Sequence, residues 1–149
     1  MGLGSHPHAL ITGGSGSGKS QAILFTLGRM LKECHEHGLN VELYLCDFKY
    51  SEDYQFLSDA SYPHYFGGLD CYNGIMGFYH NFSETRNKQG QDKTKHHFLI
   101  IDEYQALITY HTMKDKQDKT KYSAEILSAI AEILMMGRNT QSGVWHLWV

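Results

Sequence analysis

The stretch GGSGSGKS, residues 13–20, decides the fold class of this chain. It satisfies the pattern Gly-x4-Gly-Lys-Ser/Thr completely, and it lies between a short apolar run at residues 8–12 and a segment of helical spacing at about residues 19–37. Glycines allow successive backbone N–H groups to turn toward phosphate oxygens, and the helix adds the positive end of its dipole. The stretch therefore predicts a phosphate-binding loop, whereas a flexible Gly/Ser linker would need neither neighbour.

This loop predicts the residues that bind a nucleotide. Lys19 would reach the β- and γ-phosphates and is a predicted catalytic residue, while the Ser20 hydroxyl would bind Mg²⁺. The predicted ligands are therefore ATP and Mg²⁺. The predicted nucleotide-binding residues are Gly13, Gly14, Ser15, Gly16, Ser17, Gly18, Lys19, Ser20 and Gln21.

A second motif, FLIIDE at residues 98–103, places two acids directly after four apolar residues. The apolar run fits a strand buried on both faces, and the whole segment resembles the Walker B motif of P-loop ATPases. Asp102 would hold Mg²⁺ through its water shell, and Glu103 would polarise the attacking water. The pair favours ATP hydrolysis over transfer to a bound acceptor. The alternative is a strand end with ordinary solvated acids.

Further strand and helix signals alternate along the chain. Strands are predicted at residues 41–48 and 144–149, and helices at about residues 53–58, 72–88 and 123–139. The polar runs at residues 87–97 and 113–122 are predicted to lie outside these elements, the second as an exposed loop or insertion. The last helix is predicted to turn one face inward, formed by Ile126, Leu127, Ile130, Ile133 and Leu134.

The alternation predicts a doubly wound α/β fold with a mostly parallel sheet and helices on both faces, and the resemblance of the two motifs to those of P-loop ATPases implies the P-loop, RecA-like type. The predicted strand order is 1-4-3-2, as in P-loop ATPases with a separate catalytic glutamate. A chain of 149 residues with 42% hydrophobic content can bury one ordinary core, so residues 1–149 are predicted to form a single domain. Ligands of such sheets collect at the carboxyl ends of the strands, where the glycine loop, Asp47 and Asp102 would meet.

Charge and composition exclude several classes of protein. The net charge of −3 gives no global attraction to nucleic acid or to an anionic membrane, so any DNA contact would be local. No apolar run approaches the roughly 18 to 20 residues of a membrane span, and no signal-peptide pattern is present. The three cysteines lack a CxxC pair, which argues against a zinc site or a disulfide framework and favours the cytosol. The ten histidines lack a consistent ligand spacing.

Three sets of charged residues each have two interpretations. Asp47 and Lys49 end the second predicted strand and are either a surface ion pair or part of the phosphate site. Arg138 is either a solvated arginine at a helix end or an arginine finger that acts on a neighbouring subunit. Lysines in two predicted loops could contact DNA, although solvated loops are the better interpretation. These lysines are Lys88, Lys93, Lys95, Lys114, Lys116, Lys119 and Lys121.

Over nearly its whole length the sequence resembles the FtsK/SpoIIIE branch of the HerA-FtsK motor ATPases. The likeness is carried by His6-Pro7-His8 before the glycine loop, by Asp47 and Lys49, by Asp102 and Glu103, and by Gly137-Arg138-Asn139 before the last strand. The family has a proline where Phe48 stands and a shorter spacing than that from Arg138 to Gly143. These differences indicate a divergent member.

The resemblance implies an ATPase motor that moves double-stranded DNA through a hexameric ring of identical subunits, in cell division, sporulation or mobile-element transfer. It implies that Arg138 is catalytic in trans, and that further structure follows Val149, so that the domain is incomplete at its C-terminus. The implied location is the cytoplasm, either free or as the cytoplasmic domain of a membrane-anchored protein.

Other functions remain open at this point. Relatives of the same superfamily energise protein secretion, including type VII-like systems. A nucleotide-dependent binding module with weak hydrolysis is an alternative of another class. A helicase is a further one, because DEYQ at residues 102–105 resembles a DExQ box.

Overall fold

The computed structural model describes residues 8–14, 16–86, 88, 94–137 and 144–149. In these residues strands and helices alternate, as predicted. The strands are β1 (His8–Ala9), β2 (Asn40–Asp47), β3 (Tyr65–Gly67), β4 (Lys95–Asp102) and β5 (Val144–Trp148). The α-helices are α1 (Lys19–Glu36), α2 (Gln55–Asp59), α3 (Cys71–Thr85), α4 (Tyr104–Asp118) and α5 (Tyr122–Met136). Short 3-10 turns at Glu52–Tyr54 and Gly68–Asp70 precede α2 and α3.

The strands form one parallel sheet in the order β1-β5-β4-β2-β3, so the fold is α/β. This order differs from the predicted 1-4-3-2 because a further strand, β3, extends the sheet at the edge beside β2. Strand β5 lies between β1 and β4. The sequence did not predict β3, since a strand of three residues is too short to show an alternating pattern.

Helices cover both faces of the sheet. On one face, α1 buries Ile23 and Leu27 against Leu45, Phe98 and Trp148. On the opposite face, α3, α4 and α5 surround Trp145 of β5. Their fully buried side chains there are Ile75, Phe78, Phe82, Leu107, Ile126 and Ile133. Because successive strand residues point to opposite faces, the central strands contribute to both clusters.

Helix α1 agrees with its predicted bounds. It begins directly after Gly18, the last glycine of the loop, which has a φ of 78°. It ends before Gly38, whose φ of 66° lies in the left-handed region that commonly terminates helices. Two glycines with positive φ therefore set the length of the helix that follows the loop.

The polar stretch at residues 113–122 is not the predicted exposed loop, because α4 continues through it as far as Asp118. Lys114 and Asp118 form an ion pair of 3.4 Å one turn apart on this helix. Asp115 accepts a hydrogen bond of 2.8 Å from the Ser123 backbone N–H and so ties α4 to the start of α5. Lysine and glutamine are good helix formers, and opposite charges four residues apart add to helix stability. A run of charges therefore does not by itself end a helix.

The predicted inward face of α5 was partly wrong. Ile126, Ile130 and Ile133 are buried, but Leu127 and Leu134 are 45% and 44% exposed. The buried positions follow the i, i+4, i+7 spacing of a single stripe. Leu127 and Leu134 lie on the flank of that stripe and remain partly exposed.

The polar run at residues 87–97 also differs from its prediction, because its last three residues begin β4. His97 is 3% exposed and stacks on the indole of Trp145, with ring centroids 3.7 Å apart. His96 is also buried, and its Nδ1 lies 2.8 Å from Nε2 of His146. Flat rings that pair with each other or with an aromatic side chain can enter a core despite their polar atoms.

Candidate active site

The predicted site residues meet at the carboxyl edge of the sheet. The glycine loop connects β1 to α1, while Asp47 and Asp102 are the last residues of β2 and β4 and are direct partners in the register of these strands. Parallel strands bring their carboxyl ends to the same edge, where ligands of α/β sheets bind. A cleft of about 270 Å³ opens there. Its polar lining includes Thr12, Lys19, Asp102, Glu103 and Gln105.

The glycine loop has backbone conformations that side chains oppose. Gly16 and Gly18 have φ values of 77° and 78°, in the left-handed region that favours glycine. At Gly13 a Cβ atom would lie 2.5 Å from Oγ of Ser17, so any other residue there would require the Ser17 hydroxyl to rotate away. The loop ends at the N-terminus of α1, where the first backbone N–H groups have no partner within the helix. These N–H groups and the helix dipole suit an anion at this position.

The Ser20 hydroxyl joins the loop to the end of β4. Its Oγ donates a hydrogen bond of 2.6 Å to Oδ2 of Asp102. Asp102 is 2% exposed, and its Oδ1 accepts a hydrogen bond of 2.9 Å from the backbone N–H of Glu103. The two motifs that the sequence singled out are thus in direct contact. Both contribute oxygen atoms, which are the ligands that Mg²⁺ prefers.

Glu103 connects β4 to α4 in an unusual backbone conformation. Its φ of 61° and ψ of 40° place a residue other than glycine in the left-handed region, a conformation that costs about 1 to 3 kcal/mol and concentrates at functional sites. Its carboxylate lies 3.6 Å from Nζ of Lys19 and 3.2 Å from Nζ of Lys49. The predicted catalytic acid is therefore held by two lysines.

Asp47 is a buried carboxylate and does not form the surface ion pair that was one interpretation of Asp47 and Lys49. It is 1% exposed, and it accepts hydrogen bonds from the Ser51 backbone N–H at 3.0 Å and from the Tyr65 hydroxyl at 2.8 Å. Burial raises the pKa of Asp47, and the nearby charge of Asp102 raises it further, although its hydrogen bonds act in the opposite direction. Strand β3 thus supplies a side chain, Tyr65, that fixes the second acid of this edge.

Sequence reasoning missed Tyr54, which lies behind the two motifs. Its side chain is fully buried, and its hydroxyl makes no hydrogen bond of acceptable geometry within the described part of the chain. Burial raises the pKa of this hydroxyl, as does the charge of Asp102, which lies beside it together with Ser20. A 3-10 turn brings Tyr54 to this place, and the sequence carries no local pattern that would have indicated it.

The residues present fit Mg²⁺ only in combination with other ligands. Among the described residues, no group of three or more His, Cys, Asp or Glu side chains could hold a metal ion. Mg²⁺ commonly takes one or two protein ligands together with phosphate oxygens and water. Ser20 and Asp102 would hold it in that way.

Other predicted residues lie outside the described part of the chain or within regular helices and strands. Ser15 and Arg138 lie outside the described residues, as do His6, Pro7, Asn139, Gly143 and Lys93. Gln21 is exposed on α1. The lysines predicted to lie in two loops are in part wrongly placed, because Lys95 lies in β4, and Lys114 and Lys116 lie in α4. Lys95 pairs with Glu42 at 2.9 Å, on the strand beside it.

The chain matches no protein-family model, and no curated protein or solved structure matches it significantly. Within the described ranges, no helix has the length and apolar character that crossing a membrane requires.

Proposed function

We propose that this chain is a P-loop ATPase domain of the RecA-like type that binds ATP with Mg²⁺ and hydrolyses it. The observation that carries the proposal is the 2.6 Å hydrogen bond from Ser20 Oγ to Asp102 Oδ2. It joins a glycine loop shaped for an anion to the acid pair at the end of β4. If the glycine loop and the acid pair had unrelated functions, nothing would require this contact between them.

The roles of the residues follow from their positions. The backbone N–H groups after Gly18 would bind phosphate oxygens, and Lys19 would neutralise phosphate charge. Ser20 and Asp102 would hold Mg²⁺, which when bound neutralises phosphate charge and polarises the phosphoryl oxygen. Glu103 would accept a hydrogen bond from the attacking water and orient it.

The motor function implied by the family resemblance is part of this proposal. It comprises a ring of identical subunits in the cytoplasm that moves double-stranded DNA, with Arg138 acting on the ATP of its neighbour. Its support is the sequence motifs, since Arg138 lies outside the described residues. The net charge of −3 means that DNA would be contacted by a local surface. Protein transport by the same kind of ring stays an alternative.

One observation favours a second function, a nucleotide-dependent binding module with weak hydrolysis. Lys19 and Lys49 both engage Glu103, which is the predicted base. An acid in two ion pairs is less able to orient water. Slow turnover despite tight nucleotide binding would support this function.

Lys19→Ala tests nucleotide binding directly. We expect it to weaken the affinity for a fluorescent ATP analogue by about 10- to 100-fold, because a hydrogen bond to a charged group contributes about 1.5 to 3 kcal/mol. The matched control is Lys32→Ala on the same helix, since Lys32 is 77% exposed and pairs with Glu36 one turn away. Equal affinities for the wild type and Lys19→Ala would show that the glycine loop does not bind phosphate.

Tyr54→Phe tests whether the buried hydroxyl supports the metal site. We expect the free energy of unfolding not to fall, because a buried hydroxyl that makes no hydrogen bond within the described residues destabilises the folded state. The affinity for Mg²⁺-ATP is expected to fall roughly fivefold, since Asp102 needs a new donor once Ser20 turns to the metal. Urea unfolding and nucleotide titrations with and without Mg²⁺ measure the two effects.

Tyr62→Phe is the matched control for this experiment. The Tyr62 hydroxyl donates to the Leu43 carbonyl at 2.8 Å, away from the acid pair. Its removal is expected to lower the free energy of unfolding by about 1 kcal/mol and to leave nucleotide affinity unchanged. If Tyr54→Phe behaves in the same way as Tyr62→Phe, Tyr54 is only a core residue.

A further inference from the structure

Lys49 reaches the proposed catalytic centre from a different strand than the two motifs do. It follows β2, and its Nζ lies 3.2 Å from Oε2 of Glu103. Lys19, from the glycine loop, occupies the other oxygen, with its Nζ 3.6 Å from Oε1. Two ammonium groups from separate elements thus share one carboxylate. Lys19 lines the cleft beside the glycine loop, and Lys49 contacts the second oxygen of a carboxylate that lines the same cleft.

The ion pair of Lys49 is suited to exchange. The Lys49 side chain is 60% exposed and that of Glu103 is 32% exposed, so both partners remain accessible to water and ions. Exposed ion pairs are weak and are screened by salt. Lysine carries its charge on a flexible four-carbon stem that can redirect it over several ångströms. A nearby anion of higher charge than a carboxylate would therefore compete for Lys49.

The terminal phosphate of a nucleoside triphosphate is such an anion. In the proposed binding mode it would lie next to Lys19, and hence next to the carboxylate that Lys49 contacts. A nucleoside diphosphate lacks this group, so its phosphates would offer Lys49 less charge at that place. Lys49 would therefore interact more strongly with a bound triphosphate than with a bound diphosphate.

We propose that Lys49 binds the terminal phosphate of the bound triphosphate in place of Glu103, and that it thereby distinguishes triphosphate from diphosphate. The inference rests on the proposed function of the site. No covalent step is involved, since one ion pair is exchanged for another. Lys49 leaves Glu103 only when a terminal phosphate is present. Glu103 therefore becomes available to orient water when the site contains a triphosphate, which is the nucleotide to be hydrolysed.

Equilibrium titrations of two nucleotides test this inference. The probes are a non-hydrolysable imido analogue of ATP and ADP, each with Mg²⁺, measured by calorimetry on the wild type and on Lys49→Met. We expect Lys49→Met to weaken binding of the analogue about tenfold, as the loss of a charge-assisted contact does, and to change ADP affinity less than about twofold. Lys49→Arg keeps the charge and is expected to recover most of the lost affinity.

The matched control is Lys32→Met, which removes another flexible, exposed lysine, one that pairs with Glu36 on α1. It is expected to leave the affinities for both nucleotides unchanged. Since Lys49 is largely exposed, Lys49→Met should fold as the wild type does, and its thermal unfolding midpoint checks this.

The possible failures can be told apart. If the wild type binds both nucleotides and Lys49→Met weakens them equally or not at all, the inference about Lys49 is wrong and the proposed function stands. If the wild type binds neither nucleotide, the proposed function fails and the inference fails with it. A selective loss of affinity for the triphosphate analogue that Lys49→Arg restores supports both.

Discussion

Glu103→Gln is expected to lower ATP turnover by roughly 10²- to 10⁴-fold, the range that a positioned general base contributes. The amide keeps the shape of the side chain and removes the charge that orients water. Nucleotide affinity should not fall, because the substitution frees Lys19 and Lys49 from the carboxylate that now holds them. Phosphate release at saturating Mg²⁺-ATP and a separate binding titration measure the two quantities.

Glu36→Gln is the control for this substitution. Glu36 is 57% exposed at the end of α1 and pairs with Lys32, so its replacement should change neither turnover nor binding. Unchanged turnover in Glu103→Gln would place the base at another residue. A wild type that binds ATP tightly without measurable turnover would favour the nucleotide-dependent binding module.

Trp145→Ala is expected to have the largest effect on stability, a loss of about 3 to 5 kcal/mol in the free energy of unfolding. Trp145 is fully buried in β5 and contacts the rings of Phe78 and Phe82 edge to face, at 5.0 and 5.2 Å. It also stacks on His97. Since whole domains are stable by only about 5 to 15 kcal/mol, this variant should unfold at much lower urea concentration.

Leu127→Ala provides the comparison for the tryptophan variant. Leu127 is 45% exposed on α5 and lies outside the stripe that faces the sheet. Its loss should cost less than about 1 kcal/mol, because much of its apolar surface is already in water. Similar costs for the two substitutions would contradict the position of β5 inside the sheet.

The sequence predicted those parts of the site that rest on contiguous motifs. The glycine loop and the acid pair are local patterns, and the rule that parallel strands share a carboxyl edge brought Asp47 beside Asp102. The contacts between elements were not predictable in this way. The position of Tyr54 depends on a 3-10 turn, and the approach of Lys49 to Glu103 depends on side-chain conformations that no spacing encodes.

Errors in the fold prediction have separate physical causes. Strand β3 is too short to produce a periodic signal. Helix α4 was not predicted at all, and its second half was taken for a loop because of its charge, whereas the pair of Lys114 and Asp118 is compatible with a helix. His96 and His97 were excluded from a strand on polarity, although stacking and pairing with other rings allow them into the core.

The sheet order has a consequence for how the chain reaches its folded state. Among the described strands, β1 pairs with β5 alone, with His8 beside Leu147 and Ala9 beside Trp148. These contacts close the largest loop in the described chain, and such distant pairings slow folding. The helices and the pairing of β2 with β4 need shorter loops. We therefore expect the glycine loop to reach Asp102 and Glu103 in the final stage of folding. The phosphate site would then form after the hydrophobic core.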